Sequence, residues 1–306
     1  MCLYTKYIVN PKYKPSKKNG YNPPKCTDMR TYYVPTKCGR CIECRQQRQR
    51  EWIVRLSEEL RENNNALFVT LTFDDKRKTQ EIKGIDENDT ATKAMRRFLE
   101  RCRKLTKKSP KHWCCTELGE ENGRIHLHGI FWCEKELILK CWQYGYVYIG
   151  EYVNEKTIMY ITKYMLKINE KRPEFKGKVL SSAGIGKGYL NRNDAKRNAF
   201  KEEETDETYK LRNGIKINLP NYYKNHIYTE KEKEKLWIIK QEKGYRYIQG
   251  EKIDMNSEEE IRNITEFYRA RGVTLYKDNP EAWDREKNYA RYKRQQKYIR
   301  RIKKSG

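Results

Sequence analysis

Histidine is scarce in this chain, at 4 of 306 residues. Long apolar runs are missing too, since the longest extend over a few residues and a membrane-crossing helix needs roughly 20. No spanning helix is therefore expected. The leading MCLYTKYIVNPKYK lacks the apolar core of a secretory signal, so a cytoplasmic location is expected. No GxxxxGK[ST] run occurs, which leaves no P-loop ATPase signature, and the Gly184-Ile-Gly186-Lys-Gly188 run reads as a flexible loop. Acidic residues are in deficit, with 42 Asp+Glu against 67 Lys+Arg and a net charge of +25. An excess of that sign and size attracts polyanions, and nucleic acid is the expected partner.

What is present is organised along the chain. Residues 1–37, rich in Pro, Lys and Tyr, read as an extended arm, and CGRCIECR follows. RQQRQREWIVRLSEELREN then places Ile53, Leu56 and Leu60 at helical spacing. ALFVTLTF (66–73) is a β-rich run of the kind a buried strand needs. ATKAMRRFLERCRKLT sets Ala94, Met95, Phe98, Leu99, Cys102 and Leu105 on one side of a helix. HWCCTEL (112–118), the turn GEENGR and IHLHGIFW form an expected hairpin, YGYVYIGEYV adds an aromatic strand region, and TIMYITKYMLKI (157–168) reads as a helix. Beyond about 190 the charge runs KEEETDE and TEKEKEK read as solvated helix surfaces or linkers.

Two of the four histidines stand one residue apart in GRIHLHGIFW. On a strand, alternation puts His126 and His128 on one face and Ile125, Leu127, Gly129 and Phe131 on the core face. Taken alone, an HxH is as readily two solvated histidines as a site. The preceding strand weighs on the choice, because pairing Glu117 opposite His126 sets Cys115 opposite His128 and brings the carboxylate to the histidine face. A one-residue slip would bury Glu117 unpaired, which is costly. Two imidazoles and a carboxylate make a three-ligand site with open positions, suited to a divalent ion. Glu120 and Glu121 fall in the turn and read as solvated, with Glu121 a fallback ligand.

On the helix carrying YITKY, Tyr160, Lys163, Tyr164 and Lys167 share a polar wedge, opposite a stripe of Ile158, Ile161, Met165 and Ile168. Tyr160 and Tyr164 are i,i+4 neighbours whose phenols can serve one site, with Lys163 supplying positive charge. A phenol with a pKa near 10 is a poor nucleophile without such help, and YxxKY alone is better read as two tyrosines half-packed against the sheet. Ten cysteines in a reducing compartment are expected as thiols or metal ligands. Cys38, Cys41 and Cys44 offer three sulfurs within seven residues, and Cys2 or Cys26 can complete a structural zinc site. The stretch 285–304 carries ten Lys and Arg with Tyr289, Tyr292 and Tyr298 interleaved. Arg291, Lys293, Arg294, Lys297, Arg300 and Arg301 are the residues expected to grip phosphates there.

In chain order, FVTLTF, HLH on a strand and YITK on a helix resemble the three motifs of HUH endonucleases, the rolling-circle replication initiators of small single-stranded DNA replicons. With MCLY, VPTKCGRCIECR and the Tyr160…Tyr164 doublet, the chain most resembles microvirus replication initiation proteins of the gokushovirus type. The motifs cover about 70–168, and the stretch beyond about 190 carries none. The resemblance implies an α+β fold, a central antiparallel sheet with the HLH strand near its middle, flanked by helices. The expected division is an arm with the cysteine cluster (1–50), a nickase domain (51–190) and a basic, charged C-terminal extension (191–306). It implies metal-dependent nicking of single-stranded or locally melted origin DNA and strand transfer through a 5′-phosphotyrosine. Tyr160 would be the primary nucleophile, Tyr164 the second and Lys163 an assistant. Mg²⁺ or Mn²⁺ would sit on Glu117, His126 and His128, and a host helicase and polymerase would be partners. Plasmid initiators and relaxases share this chemistry. The competing reading is a non-catalytic, zinc-stabilised nucleic-acid-binding protein, and a histidine-nucleophile hydrolase is disfavoured because no further HxH follows.

Overall fold

The computed structural model describes residues 1–75, 80–212 and 214–278. They divide into two units, one made of Met1–Gln47, Asn198–Asp206 and Lys224 onward, the other of Arg48–Arg197 and Glu207–Tyr223.

The first unit opens with β1 (Lys6–Val9) and β2 (Tyr33–Thr36), paired antiparallel with Lys6 opposite Thr36. The first 37 residues are thus a strand pair bridged by 3-10 turns rather than a plain extended arm. Helix α1 (Ile42–Glu62) begins in this unit and continues in the second.

The second unit is built on β3 (Leu67–Thr72), α2 (Glu87–Thr106), β4 (Lys111–Leu118), β5 (Ile125–Trp132), α3 (Lys135–Cys141), β6 (Val147–Gly150), α4 (Glu155–Lys163) and β7 (Val179–Ser181). The strands form one antiparallel sheet in the order β6-β3-β5-β4-β7, with the HLH strand at its centre. Alternation then sorts the side chains. Val69, Leu71, Cys114, Leu127 and Phe131 pack against Ala94, Met95, Phe98 and Cys102 of α2 and Ile138 of α3. Burying a Phe or Leu there contributes about 1.5–3 kcal/mol each. Leu105, on the same expected stripe, is exposed, because it falls in the last turn of α2 beyond the sheet contact.

The histidine face is not simply solvated. Leu56 of α1 and Ile158, Ile161 and Met165 cover it beside Trp113, Cys115 and Ile130. The sheet is therefore packed on both faces, and its polar residues sit in a gap between apolar ones. Gly129 is required on the central strand, since a Cβ there would lie 2.5 Å from the Trp113 carbonyl oxygen. The Gly184–Gly188 run is packed rather than flexible: Ile185 and Gly186 are buried, and the Gly186 amide donates to Glu59 at 2.9 Å. Glu59, on α1, also takes the ammonium of Lys111 at 2.6 Å, so the run anchors a buried carboxylate.

The described residues after 190 are folded. They form α5 (Asn193–Lys196), the hairpin β8 (Thr208–Lys210) and β9 (Lys216–Asn218), and α6 (Asn221–Ile227). The first unit resumes with α7 (Glu230–Glu242), the hairpin β10 (Tyr245–Ile248) and β11 (Glu251–Asp254), and α8 (Glu258–Tyr276). TEKEKEK starts α7, where the Thr229–Glu232 capping box satisfies the first amides. No helix among the described residues is long and apolar enough to cross a membrane.

Candidate active site and candidate metal centre

The register across the sheet pairs Glu117 with His126 and Cys115 with His128, and on the other side Thr72 with His126 and Thr70 with His128. A six-residue turn joins β4 to β5, with Gly123 at φ +61°, a conformation that favours glycine. Although Glu117 is level with His126, its carboxylate reaches along the diagonal to His128, where Oε2 accepts from Nε2 at 2.9 Å. An ionised carboxylate cannot donate, so Nε2 carries the proton, and Nδ1 lies 3.1 Å from Thr70 Oγ1.

Lys167 completes this arrangement. Its ammonium donates to Glu117 Oε1 and lies 2.9 Å from Glu120 Oε1. Burial pushes the Glu117 carboxyl up, yet the hydrogen bonds from His128 and Lys167 outweigh burial and hold it below the usual range. Burial, followed by the neighbouring His128, pushes the His126 imidazole down. The lysine that meets the carboxylate is therefore Lys167, while Lys163 is exposed at the end of α4. Sequence reasoning placed Lys167 on the polar wedge without assigning it to the site, and it passed over Thr70 although FVTLTF alternation sets Thr70 on the histidine face.

Helix α4 starts at a capping box, in which Asn154 accepts from the Thr157 amide and Thr157 answers the Asn154 amide. It is shorter than the expected 157–168, ending at Lys163 where i→i+3 bonds such as Met165 to Thr162 replace the helical pattern. Tyr164 keeps helical dihedrals as the C-cap, so the i,i+4 relation survives. Its hydroxyl donates to the Tyr160 hydroxyl at 2.7 Å, and its ring lies flat on the His128 imidazole with centroids 4.0 Å apart. Tyr160 is 53% exposed. Burial, with the bond to Tyr160 adding to it, pushes the Tyr164 phenol up.

Glu117, His128, Tyr160 and Tyr164 thus converge, with the His126 ring centred 6.2 Å from that of His128. His128 Nε2 and Glu117 Oε2 lie 2.9 Å apart, close to the roughly 3 Å between adjacent ligands of a divalent ion with bonds of about 2.1 Å. His126 is not drawn in to the same degree, and the Lys167 ammonium pairs with the carboxylate.

In the first unit, the sulfurs of Cys2, Cys38, Cys41 and Cys44 all lie within 4.8 Å of one another. Cys2–Cys41 and Cys38–Cys44 are each 3.9 Å apart, against roughly 3.8 Å for a tetrahedron with bonds of about 2.3 Å. The Cys38 amide donates to the Cys2 sulfur and the Cys41 amide to the Cys38 sulfur, both at 3.3 Å. Hydrogen bonds among the four push Cys38 down and Cys41 and Cys44 up, so one of them ionises ahead of the rest. This cluster can hold a metal ion. Of the two candidates for the fourth sulfur the fold brings in Cys2, while the Cys26 thiol donates to the Asp28 carbonyl at 3.1 Å. Arg291, Lys293, Arg294, Lys297, Arg300 and Arg301 lie outside the described residues.

Residues 66–169, which carry all the active-site candidates except the cysteines and the tail, match the family model for replication-associated proteins of the ORF2 and gene 2 protein type. That segment is similar to the replication-associated proteins this model describes. The chain is 27% identical over 240 residues to replication-associated protein ORF2 of Spiroplasma virus 4, covering 66% of this chain and 72% of that one. It is 24% identical over 162 residues to replication-associated protein ORF4 of Chlamydia phage 1, covering 45% of this chain and 40% of the relative's own length. No solved structure matches. The microvirus-type resemblance carried by the motifs agrees with these matches.

Proposed function

We propose that this replication-associated protein starts rolling-circle DNA synthesis by nicking single-stranded origin DNA and transferring the strand through a 5′-phosphotyrosine. One observation carries the reading: the Tyr160 and Tyr164 hydroxyls are bonded to each other while the Tyr164 ring rests on His128, itself bonded to Glu117. These side chains, far apart in sequence, meet at one place, which supports the reading.

In this mechanism the exposed Tyr160 oxygen attacks the scissile phosphorus. The Tyr160 O–P bond forms, the P–O3′ bond breaks, the phenolic proton leaves to solvent and the 3′ oxygen takes up a proton. One phosphodiester replaces another, so a later 3′-OH can reverse the step and rejoin the strand. Tyr164 donates a hydrogen bond to the attacking oxygen and stabilises the charge developing there. Once Tyr160 is occupied, Tyr164 is the second nucleophile. Glu117, His126 and His128 would hold Mg²⁺ or Mn²⁺, which supplies Lewis-acid stabilisation of the phosphate charge. His128 would ligate it through Nε2 in the tautomer that carries its proton at Nδ1, where the Thr70 hydroxyl oxygen can accept a hydrogen bond. Lys163, one turn from Tyr160 on α4, is assigned to orienting the DNA. The tail (285–304) would add sequence-independent phosphate contacts, a host helicase and polymerase would supply unwinding and synthesis, and the cysteine cluster would hold zinc.

The test is to incubate the protein with an origin oligonucleotide and Mg²⁺ or Mn²⁺, trap the adduct and map it by peptide mass spectrometry. The expected attachment is Tyr160. Attachment at histidine, or none with any metal, overturns the proposal.

A further inference from the structure

The candidate site does not end at Tyr160. A line of rings leads from it to the edge of the sheet. His128 stacks on Tyr164 at 4.0 Å, Tyr164 meets Tyr160 at 5.5 Å, Tyr160 meets Phe68 at 6.3 Å, and Phe68 meets Tyr148 at 6.2 Å. Tyr148 lies on β6, an edge strand, level with Thr70 and hence with His128. Tyr146, two residues earlier, is level with Thr72, whose amide donates to its carbonyl at 2.9 Å. The intervening Val147 and Ile149 pack against the opposite core, so alternation turns Tyr146 and Tyr148 to the histidine face. Both rings are open to solvent, Tyr146 at 71% and Tyr148 at 52%. Two large aromatics, Tyr148 on a four-residue edge strand and Tyr146 just before it, are thus left open to solvent.

The occupant follows from the charge beside them. On α4, Lys156, Tyr160 and Lys163 recur at i, i+4 and i+7 and are all exposed, so cations flank the exposed phenol on one helix face. Open aromatic rings next to a line of ammonium groups fit a ligand with an anionic backbone and unpaired flat bases. Duplex DNA offers the same phosphates but keeps its bases stacked inside.

We infer that Tyr146 and Tyr148 form a stacking platform for bases next to the scissile phosphate, holding an unpaired strand against the β6 edge while Lys156 and Lys163 contact its phosphates. The position of the scissile phosphate rests on the nickase reading above, but the platform is a binding property and is measurable without cleavage.

The experiment uses the full chain without added Mg²⁺ or Mn²⁺ so that no cleavage occurs, and an oligonucleotide with 2-aminopurine placed near the nick site, compared with the same sequence as duplex. Tyr146→Ala/Tyr148→Ala is expected to weaken single-strand affinity roughly tenfold or more and to restore 2-aminopurine fluorescence. The double Phe variant, which keeps the rings, is expected to bind like the parent, and duplex affinity is expected not to change. Unaltered single-strand affinity in the Ala variant, or an equal loss on duplex, overturns the platform. If the parent forms no tyrosine adduct with metal yet the Ala variant still loses single-strand affinity, the nickase reading falls and the platform stands.

Discussion

Around the histidines, side chains from β3, β4, β5 and α4 meet because a strand register holds them, across about a hundred residues of chain. Around the sulfurs, three of the four partners come from one seven-residue stretch, and a strand pair brings the fourth. The surroundings differ as well. The sheet unit contains two apolar clusters, one on each face, into which its polar residues are set. The cysteine cluster has apolar neighbours such as Leu3, Tyr4 and Ile42, and neither of those two clusters includes them. A site held by packing keeps its geometry without its ion. A site whose residues lack that support gains part of its folding free energy from the ion, as small zinc modules do. On the proposed reading, the first site acts on something that comes and goes, and the second holds an ion.

The largest expected effect comes from removing both phenols. Tyr160→Phe/Tyr164→Phe should lower adduct formation by roughly 10³-fold or more while the thermal transition barely moves, because Tyr160 is exposed and both rings remain. His128→Ala should lower cleavage by about 10²–10³-fold. An adduct that survives in the double variant breaks the comparison at its first term, since the sheet site would then be packing alone.

Next comes metal removal. Zinc measured on the purified protein should be one per chain, and Cys38→Ser should lose it. In the variant the melting curve should split, the first unit unfolding several kcal/mol earlier, a part of the roughly 10–16 kcal/mol that zinc contributes to isolated finger peptides. A zinc-free protein with one sharp transition would show the cluster to be four packed thiols.

These contrasts follow what the sequence made legible. Period-two alternation in HWCCTEL and IHLHGIFW was enough to put Glu117 on the histidine face, because a one-residue slip would bury a lone carboxylate. Helical period was enough to put Tyr160 beside Tyr164. The Lys167–Glu117 contact was not legible, because it depends on α4 ending at Lys163 and the chain turning back over β4. The fifth strand, Val179–Ser181, has three residues and no pattern to betray it. The glycine run misled for a related reason: only the fold shows the Glu59 carboxylate that its amide satisfies.

A smaller effect probes the sheet unit without touching either site. Burial pushes the Glu59 carboxyl up, but Lys111, the Gly186 amide and Asn63 outweigh it and hold it below the usual range. A carboxyl depressed on folding adds stability that is complete above its unfolded pKa and is lost as pH falls through the folded one. The loss therefore begins below about pH 4.3. Glu59→Gln should cost about 1–3 kcal/mol in urea melts at pH 7 and much less at pH 3, so the parent and variant curves converge in acid. Parallel curves across that range would mean that Glu59 is no more than a space-filler.

The smallest effect is an expected silence, and it tests how the second site is assembled. β1 and β2 pair with Lys6 opposite Thr36, so Cys2, four residues before Lys6, and Cys38, two after Thr36, leave the strand pair at the same end. Cys26 lies between the two strands in sequence, and its thiol is spent on the Asp28 carbonyl. By spacing alone Cys2 and Cys26 compete equally for the fourth position, and the strand pair decides between them. Cys26→Ser should keep its zinc and change stability by no more than about 0.5 kcal/mol. Cys2→Ser should lose zinc as Cys38→Ser does, although it alters a residue 36 positions away in sequence. If the two outcomes were exchanged, with Cys26→Ser losing the ion and Cys2→Ser retaining it, the β1–β2 pairing would be the element in error. The cysteine site would then be a purely local one, and its contrast with the sheet site would be sharper still.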